Sequence, residues 1–432
     1  MILDPIGGPA ELAPDSSDRL LLVAPHPDDE ALAAGGLLEL AARRGAAVRV
    51  LYVTRGENNP WAQRARERRL RIGPRDRARW GERRWAEALS ALERLGLPPD
   101  CARCLELPDQ GLSNLLFRGD PALIRGLEEE LASWRPTVVL APAVWDGHPD
   151  HSAMGLVIRL ARIPEADAAP LVLQYAVHRR TEPDRAGSVR VRLDDRMRSR
   201  KREAILCHRS QVALRRDFLL RFVEAEERFV PLRPGAAEVY PHPIRSAEVV
   251  EGLARIEIAR PLPPGLGRPE LVILIAGAAG EAPAPGGGNA PAPSGGNAPP
   301  RAGEVRWRTL RVELNLARRM GIARPGREDA APFRLPLRVE SRGFRIEVPL
   351  QIPAGNAEAA AAFANVIRPA MRRLGFFDAV GWRIVREPVR PPETRVRESR
   401  DSVPEQEDAR IGANSLAGVV AAQGFEPRTK GL

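Results

Sequence analysis

Short apolar runs alternate with longer amphipathic stretches through the first part of the chain. The continuous apolar run Leu20–Pro25 is typical of a strand buried on both faces of a parallel sheet. Further strands are predicted within residues 47–57, 101–109, 137–151 and 171–179, and helices over 29–45, 84–96 and 121–136. Strands that alternate with helices favour a doubly wound, mostly parallel, Rossmann-like α/β sheet. Ligands of such sheets bind beyond the carboxyl ends of the strands.

The pattern changes after about residue 245, where polar and apolar positions begin to alternate. Strands are predicted there within residues 247–263, 269–277, 304–317, 333–340 and 344–352, and a helix over 356–375. This part of the chain is therefore predicted to form a second, smaller domain that is α+β or β-rich.

Two segments have the composition of chain that does not fold on its own. Residues 282–304 are rich in Pro, Gly and Asn, which predicts a disordered linker or insertion. Residues 391–432 are polar and predict a disordered tail. We therefore predict a first domain at 1–245 and an accessory domain at 246–390 that the linker interrupts.

Charge and composition narrow the classes of function. The 66 basic residues exceed the 56 acidic ones, for a formal charge of +10. The two signs are interspersed along the chain, so we expect no nucleic-acid partner. Hydrophobic residues make up 44% of the chain, enough to bury a core, and no apolar run is long enough to span a bilayer. Because no signal peptide is recognisable, a cytoplasmic location is predicted.

Polar side chains cluster where two of the predicted strands end. The segment PHPDDE at 25–30 follows the first apolar run, and HPDH at 148–151 follows the fourth predicted strand. Imidazole nitrogens and carboxylate oxygens are zinc ligands, and a catalytic zinc needs three protein ligands and an open position for water. One His-Pro-Asp segment alone could instead be a capped helix start. The two segments together, at one edge of the predicted sheet, favour a metal site.

These two segments and several weaker motifs resemble the signatures of the PIG-L/LmbE superfamily of zinc-dependent N-acetylglucosaminyl deacetylases. The weaker motifs are TRGE at 54–57, an R-x-x-E…L-G helix at 84–96, LPD at 107–109 and a K-x-x-A…S-Q helix at 201–211. The resemblance covers about residues 18–230 and assigns nothing to the second part of the chain.

The resemblance implies a metal centre and a general base. His26, Asp29 and His151 would be the ligands of Zn²⁺, with Fe²⁺ as the alternative metal. Asp28 would accept a proton from metal-bound water. This chemistry suits the hydrolysis of an acetamide, because zinc lowers the pKa of water to about 7 and a nearby carboxylate can take the proton.

The resemblance also implies roles around the reacting amide. His148 would stabilise the oxyanion or protonate the leaving amine, and Asp150 would orient His148. Asp146 stands where some members of the superfamily have a tyrosine, so a tyrosine-based step is not expected. The residues that would bind the substrate are Arg84, Asp109 and Glu57.

The predicted function is a metal-dependent hydrolase that removes the acetyl group from an N-acetylglucosamine-type conjugate, a small-molecule partner. One alternative is an amidase that cleaves a larger acyl group or a thiol-conjugate amide on the same scaffold. Another is a catalytically inactive sugar-binding or scaffold protein, which the presence of His26, Asp28, Asp29 and His151 disfavours. A homo-oligomer is compatible with the sequence. Two further histidines, His178 and His208, are expected to be structural.

Overall fold

Two β-sheets build the structure, a computed structural model in which both sheets lie within one compact unit, Met1–Thr394. The structure describes residues 10–163, 169–178, 188–232, 242–250, 253–259, 262, 266–278, 305–315, 318–325, 332–340, 343–349, 361–373 and 381–386. The predicted linker at 282–304 and the predicted tail at 391–432 lie outside these residues. The domain boundary at residue 245 stays a prediction.

The first sheet has eight strands and is mostly parallel. Its strands are β1 (Ala10–Glu11), β2 (Arg19–Ala24), β3 (Ala47–Tyr52), β4 (Ala102–Cys104), β5 (Val138–Pro142), β6 (Leu171–Tyr175), β7 (Val189–Arg192) and β8 (Glu226–Pro231). The spatial order is β1-β7-β8-β6-β5-β2-β3-β4, and only β8 runs antiparallel to its neighbours in this sheet. The predicted α/β sheet is therefore confirmed.

Helices cover both faces of this sheet. They are α1 (Asp29–Arg43), α2 (Pro60–Glu67), α3 (Pro74–Arg94), α4 (Leu112–Arg118), α5 (Ala122–Trp134), α6 (Pro149–Leu160), α7 (Asp195–Cys207) and α8 (Arg209–Leu220). The helix predicted from residue 84 begins at Pro74 instead, because Pro suits the first turn and the Asp76 side chain accepts a hydrogen bond from the amide of Gly73 at 3.0 Å. Among the described residues, no helix is both long and apolar enough to cross a membrane.

The described residues from 242 to 386, called the β domain below, form a nine-stranded antiparallel sheet. Its strands are β9 (Ile244–Val250), β10 (Leu253–Ala259), β11 (Glu270–Ala278), β12 (Val305–Asn315), β13 (Met320–Pro325), β14 (Phe333–Glu340), β15 (Gly343–Pro349), β16 (Ala361–Ile367) and β17 (Arg383–Arg386), with a short helix α9 (Pro369–Arg373). The order is β17-β16-β11-β12-β13-β14-β15-β10-β9, and the two end strands lie next to each other, so the sheet nearly closes into a barrel. The β-rich form of the predicted second domain is confirmed.

The helix predicted over 356–375 is wrong for residues 361–367, which form strand β16. This strand pairs with β11 on one side and β17 on the other, and every one of its residues is buried. A continuous apolar run cannot be assigned to helix or strand by its period alone. Here the cross-strand partners, which are distant in sequence, override the helix propensity of the alanines.

The β domain shares a hydrophobic core with one face of the parallel sheet. Val272 and Leu274 of β11 belong to the core that also contains Leu127 of α5. Leu271 and Ile273, on the opposite face of the same strand, belong to the core inside the β domain. Strand β11 is therefore buried on both faces, and the core on one of these faces is shared between the β domain and the parallel sheet.

A buried ion pair supports a kink in helix α1. The helix departs from helical geometry at Ala34, and the main-chain amides of Gly36 and Leu37 donate hydrogen bonds to Glu227 at 2.7 and 2.8 Å. The Nζ of Lys201 lies 2.7 Å from the same carboxylate, and both side chains are buried. Lys201, the lysine of the K-x-x-A motif, thus neutralises Glu227. The Glu227 carboxylate in turn binds main-chain amides that follow the kink in α1.

Lys201→Met should lower the free energy of unfolding by about 3–5 kcal/mol, because Glu227 would stay buried without its cation. Denaturant unfolding followed by circular dichroism measures the change. Arg200→Met is the matched control, because Arg200 pairs with Glu203 at the surface with both side chains 43% exposed. Such pairs contribute about 0–1 kcal/mol. Equal losses in the two variants would contradict the prediction.

Candidate functional site

The two His-Pro-Asp segments lie side by side because the strands before them are neighbours. Strand β2 pairs in parallel with β5 from Leu20–Val138 to Leu22–Leu140. The chain therefore leaves both strands at the same edge of the sheet. On its other side β2 pairs with β3, so the connections diverge at this point of the sheet. Such a topological switch point is where open α/β sheets bind ligands.

The three predicted metal ligands converge at this edge. His26 Nδ1 lies 3.5 Å from Asp29 Oδ2 and 3.3 Å from His151 Nε2, and His151 Nε2 lies 3.3 Å from Asp29 Oδ1. His148 also brings a ring nitrogen within 4.8 Å of ring nitrogens of His26 and His151. Asp29 Oδ1 is buried and makes no hydrogen bond with the described residues. A buried carboxylate oxygen of this kind needs a compensating charge, so the group fits a divalent metal ion.

Mutual charge interactions hold this cluster together. Burial opposes protonation of His151, but Asp29 and Asp146 outweigh it and raise the pKa of His151 to about 9. Burial likewise opposes ionisation of Asp29, yet His151 and His26 keep the pKa of Asp29 well below its usual value. A metal ion would compete with protons for the nitrogens of His26 and His151, so metal binding is expected to be coupled to proton release.

Asp146 connects the loop after β5 to the predicted ligand His151. Its Oδ2 lies 3.4 Å from His151 Nδ1 and accepts hydrogen bonds from the amides of Val177 and His178 at 2.8 and 3.1 Å. Its Oδ1 accepts from the amide of His148 at 2.8 Å. A carboxylate on the second nitrogen of a metal-binding imidazole fixes the orientation of the ring.

Two further carboxylates face His26 from the opposite side. His26 Nε2 lies 3.2 Å from Asp109 Oδ1 and 3.4 Å from Asp150 Oδ2. The Asp150 carboxylate also accepts hydrogen bonds from the amides of Gln110 and Leu112 at 2.7 and 3.1 Å. Burial disfavours protonation of His26, but the hydrogen bonds to Asp109, Asp150 and Asp29 outweigh it and raise the pKa of His26 well above its usual value. The predicted substrate residue Asp109 thus lies against a predicted ligand.

His148 begins helix α6 as its N-cap. Its Nδ1 accepts a hydrogen bond from the amide of Asp150 at 3.1 Å, so the ring proton resides on Nε2. Burial and the neighbouring His26, His178 and His151 lower the pKa of His148 well below its usual value, which keeps this ring neutral. Asp150 contacts His148 through its main-chain amide, while its carboxylate reaches His26, so the predicted orienting role of its side chain stays a prediction.

Arg84 lies beneath Asp28 and holds the loops on either side of it. Arg84 Nη2 is 3.1 Å from Asp28 Oδ2 and donates to the carbonyl of Pro27, while Nη1 donates to the carbonyl of Gly56 at 3.0 Å. Asp28 has a positive φ of 122°. Burial, opposed by Arg84, raises the pKa of Asp28. The predicted substrate-binding Arg84 is itself buried, and its hydrogen bonds within the chain fix Asp28.

Glu57 joins the TRGE loop to the LPD turn. Its Oε1 accepts a hydrogen bond from the amide of Asp109 at 2.8 Å, and Asp109 Oδ2 accepts from the amide of Asn58 at 2.7 Å. Burial raises the pKa of Glu57. These hydrogen bonds join the two motifs and hold Asp109 next to His26.

Sequence reasoning missed the place of Asp146 and His178 in this cluster. The His178 ring centroid lies 4.6 Å from that of His151 and 5.1 Å from that of His148, and Asp146, His151 and His178 can together present ligand atoms within 4.8 Å. His178 follows β6, the parallel neighbour of β5. The strand-end rule that drew attention to His148 could have found it. His208 contacts a different residue, since its Nε2 lies 2.6 Å from Glu30 Oε1.

Comparison with known proteins agrees with this site. The family model described as PIG-L, GlcNAc-PI de-N-acetylase, matches residues 21–161. A 1D-myo-inositol 2-acetamido-2-deoxy-alpha-D-glucopyranoside deacetylase of Mycobacterium sp. (strain KMS) is 32% identical over 160 residues, 34% of this chain and 50% of the relative. The enzyme of the same name from Rhodococcus jostii (strain RHA1) is 34% identical over 152 residues, 32% of this chain and 50% of the relative.

Among solved structures, a conserved protein from Thermus thermophilus is similar, with 28% identity and a TM-score of 0.35 over 52% of this chain and 97% of that one. The chain spans about half the length of the curated relatives it matches. A mostly parallel α/β sheet with a buried His/Asp cluster at its switch point has side chains that can hold a metal ion. Residues 21–161 form a deacetylase domain of the PIG-L family.

Gly56→Ala should displace Arg84 and loosen Asp28. Gly56 has a φ of +64°, and a Cβ there would overlap Arg84 Nη1. Gly45→Ala is the matched control, because Gly45 has a φ of +74° but its nearest neighbour, Ser16 Cβ, would be 3.8 Å away.

The control should lose only the backbone cost of about 1–2 kcal/mol in the free energy of unfolding. Gly56→Ala should lower the free energy of unfolding by clearly more than the control does, as measured by denaturant titration. Losses of the same size would show that Arg84 yields without cost.

Proposed function

We propose that this chain is a metal-dependent hydrolase that removes the acetyl group from an N-acetylglucosamine-type conjugate. The observation that carries the proposal is the convergence of His26, Asp29 and His151 inside the PIG-L domain, with Asp28 next to Asp29 in the sequence. The names of the curated relatives, deacetylases of a 2-acetamido sugar joined to inositol, support an N-acetylated amino sugar as the substrate class.

His26, Asp29 and His151 would hold the ion. Two imidazoles and one carboxylate suit Zn²⁺ and also Fe²⁺, so zinc is the proposed metal and iron the alternative. When bound, the ion supplies a Lewis acid that activates water and polarises the acetamide carbonyl. Asp146 fixes the His151 ring through its Nδ1, 3.4 Å away.

Asp28 is the proposed general base. It is the neighbour of Asp29 in sequence, and its side chain is 15% exposed whereas that of Asp29 is 1% exposed. The Arg84 guanidinium fixes its Oδ2, and burial raises the pKa of the carboxyl. A carboxylate with a raised pKa takes a proton more readily, which suits a base that works near neutral pH.

His148 is the proposed hydrogen-bond donor to the reacting amide. Its proton is on Nε2 because Nδ1 accepts from the amide of Asp150. A neutral imidazole N–H at the site can stabilise the oxygen of the acetamide as negative charge develops, and the leaving amine can take the proton that Asp28 would accept from water. Its cap position on α6 and the bond from its amide to Asp146 hold it in place.

Arg84, Asp109 and Glu57 remain the proposed substrate-binding residues. Asp109 comes nearest to the metal cluster, 3.2 Å from His26. The Glu57 carboxylate supports Asp109 by accepting a hydrogen bond from the main-chain amide of Asp109. We therefore expect Asp109 to meet a sugar hydroxyl next to the acetamide, with Arg84 and Glu57 setting the shape of the wall.

A deacetylation screen tests the function. The metal-loaded full chain would be offered N-acetylglucosamine, N-acetylglucosaminyl-inositol, N-acetylglucosaminyl-malate and diacetylchitobiose, with Zn²⁺ or Fe²⁺, and released acetate would be measured. N-propionyl analogues would report an amidase for larger acyl groups. Acetate release from at least one acetamido sugar is expected. A lack of release from every one by the metal-replete protein would overturn the proposal.

His151→Ala should lose the metal, because it removes the ligand that contacts both His26 and Asp29. Elemental analysis after dialysis should give about one equivalent for the unchanged chain and a small fraction of that for the variant. His178→Ala is the control, since His178 belongs to the cluster but not to the proposed ligand set. Full metal content in His151→Ala, or loss confined to His178→Ala, would refute the ligand assignment.

Asp28→Asn should bind metal normally and lose about 10²–10⁴-fold in kcat, because the amide cannot accept a proton. The amide oxygen can still accept the hydrogen bond from Arg84, so the loop should keep its place. Asp29→Ala, at the neighbouring position, should lose the metal itself. Turnover close to that of the unchanged chain in metal-replete Asp28→Asn would show that another group is the base.

A further inference from the structure

The loop that carries Asp146 and His148 is covered by a segment from the far end of the described chain. This segment is Gly381–Trp382, just before β17. The amide of Trp382 donates to the carbonyl of Val144 at 2.7 Å, and the amide of Gly381 donates to the carbonyl of Trp145 at 3.3 Å. Two residues of the β domain thus continue the hydrogen bonding of the strand end from which the site projects.

Glycines allow close approach on both sides of this loop. A Cβ on Gly155 of α6 would lie 2.6 Å from the Cα of Val144, so helix and loop are in backbone contact. A Cβ on Gly381 would overlap the carbonyl oxygen of Val144 and lie 2.8 Å from that of Asp146. The loop is therefore clamped between its own helix and the β domain, with no room for a side chain on either side.

The covering segment is itself held by one residue of the β domain and one residue of helix α4. The Nε2 of His242 donates to the carbonyl of Gly381 at 3.0 Å, and its Nδ1 accepts from the amide of Ile244 at the start of β9 at 2.9 Å. Trp382 is fully buried and meets Phe117 of α4 edge to face, with ring centroids 6.2 Å apart. Both neighbours anchor the segment to regular structure, so it acts as a rigid support.

The β domain also holds the other segment that reaches the cluster. Trp307 Nε1 and Thr309 Oγ1 of β12 donate to the carbonyl of Leu116 at 2.8 and 3.3 Å, near the end of α4. At the other end of this short helix, the amide of Leu112 donates to Asp150 Oδ1 at 3.1 Å. The β domain therefore contacts both the loop that carries Asp146 and the helix α4, whose Leu112 amide binds the Asp150 carboxylate.

We propose that the β domain is a positioning element of the catalytic centre, and that Gly381 and Trp382 are positioning residues which set Asp146 and His148 through the loop they cover. Asp146 aligns the ligand His151, and His148 is the proposed donor, so a small shift of the loop moves both at once. The catalytic part of this inference rests on the proposed function, whereas the structural part does not.

Gly381→Ala in the full chain is the direct test. Gly343→Ala is the matched control, because a Cβ on Gly343 of β15 would overlap the carbonyl oxygen of Ile258 as closely as one on Gly381 would overlap that of Val144. Gly343 lies inside the β domain, paired with Ala259. Both variants should lose thermal stability, so a difference between them isolates the contact with the loop.

Hydrogen exchange measured by mass spectrometry gives a readout that does not depend on activity. Gly381→Ala should speed exchange in peptides that cover residues 143–152, and Gly343→Ala should leave those peptides unchanged. With the substrate found in the deacetylation screen, Gly381→Ala should lower kcat by about 10–100-fold with KM within about twofold. Gly343→Ala should keep kcat within about twofold.

Trp382→Phe and Trp382→Ala provide a second test in case Gly381→Ala does not fold. The phenylalanine keeps a ring against Phe117 and should retain most of kcat, whereas the alanine should behave like Gly381→Ala. Exchange at 143–152 that is the same in Gly381→Ala, Trp382→Ala and Gly343→Ala would overturn the proposal. Faster exchange in a chain that releases no acetate from any acetamido sugar would uphold the positioning and refute only the deacetylase function.

Discussion

The parallel pairing of β2 with β5 is the constraint on which the site depends. The two strands are separated by more than a hundred residues of chain, and a His-Pro-Asp segment follows each of them. Because parallel strands end at the same edge, the pairing brings the segments that contain His26 and His151 to one place, where the two rings are in contact. A different strand order would leave each segment as an ordinary polar loop.

Burial of so many charges is tolerable only because they compensate one another. Asp29 and Asp146 flank His151 on its two nitrogens, and Asp109 and Asp150 flank His26. Desolvation acts against every one of these charged groups, and opposite charges at 3.2–3.4 Å offset it. A divalent cation would take over the compensation from the imidazole protons, so the same arrangement suits both metal binding and the apo state.

The β domain extends the constraint beyond the parallel sheet. Its strand β11 is buried on both faces. The same domain places the two residues just before β17, Gly381 and Trp382, against the loop after β5. Trp382 and Gly381 then contact a main chain that has no sequence motif of its own. This is why a domain without a recognisable motif can still bear on the chemistry.

The amino-acid sequence by itself determined the local elements and the ligand types. Apolar runs marked β2 and β5, and the polar segments that follow them contain His26, Asp29 and His151, whose residue types predict a metal site. Periodicity failed at residues 361–367, where an apolar run reads equally well as helix or strand and only its partner β11 decides.

Tertiary structure alone decided what each polar group faces. It turned the Asp150 carboxylate toward His26, buried Arg84 under Asp28, and brought His178 and Asp146 to His151. Such contacts join residues far apart in the chain, and their geometry follows from strand order and packing, which local sequence does not encode. The sequence therefore specifies which groups can do the chemistry, and the packing of the two sheets specifies how they are arranged to do it.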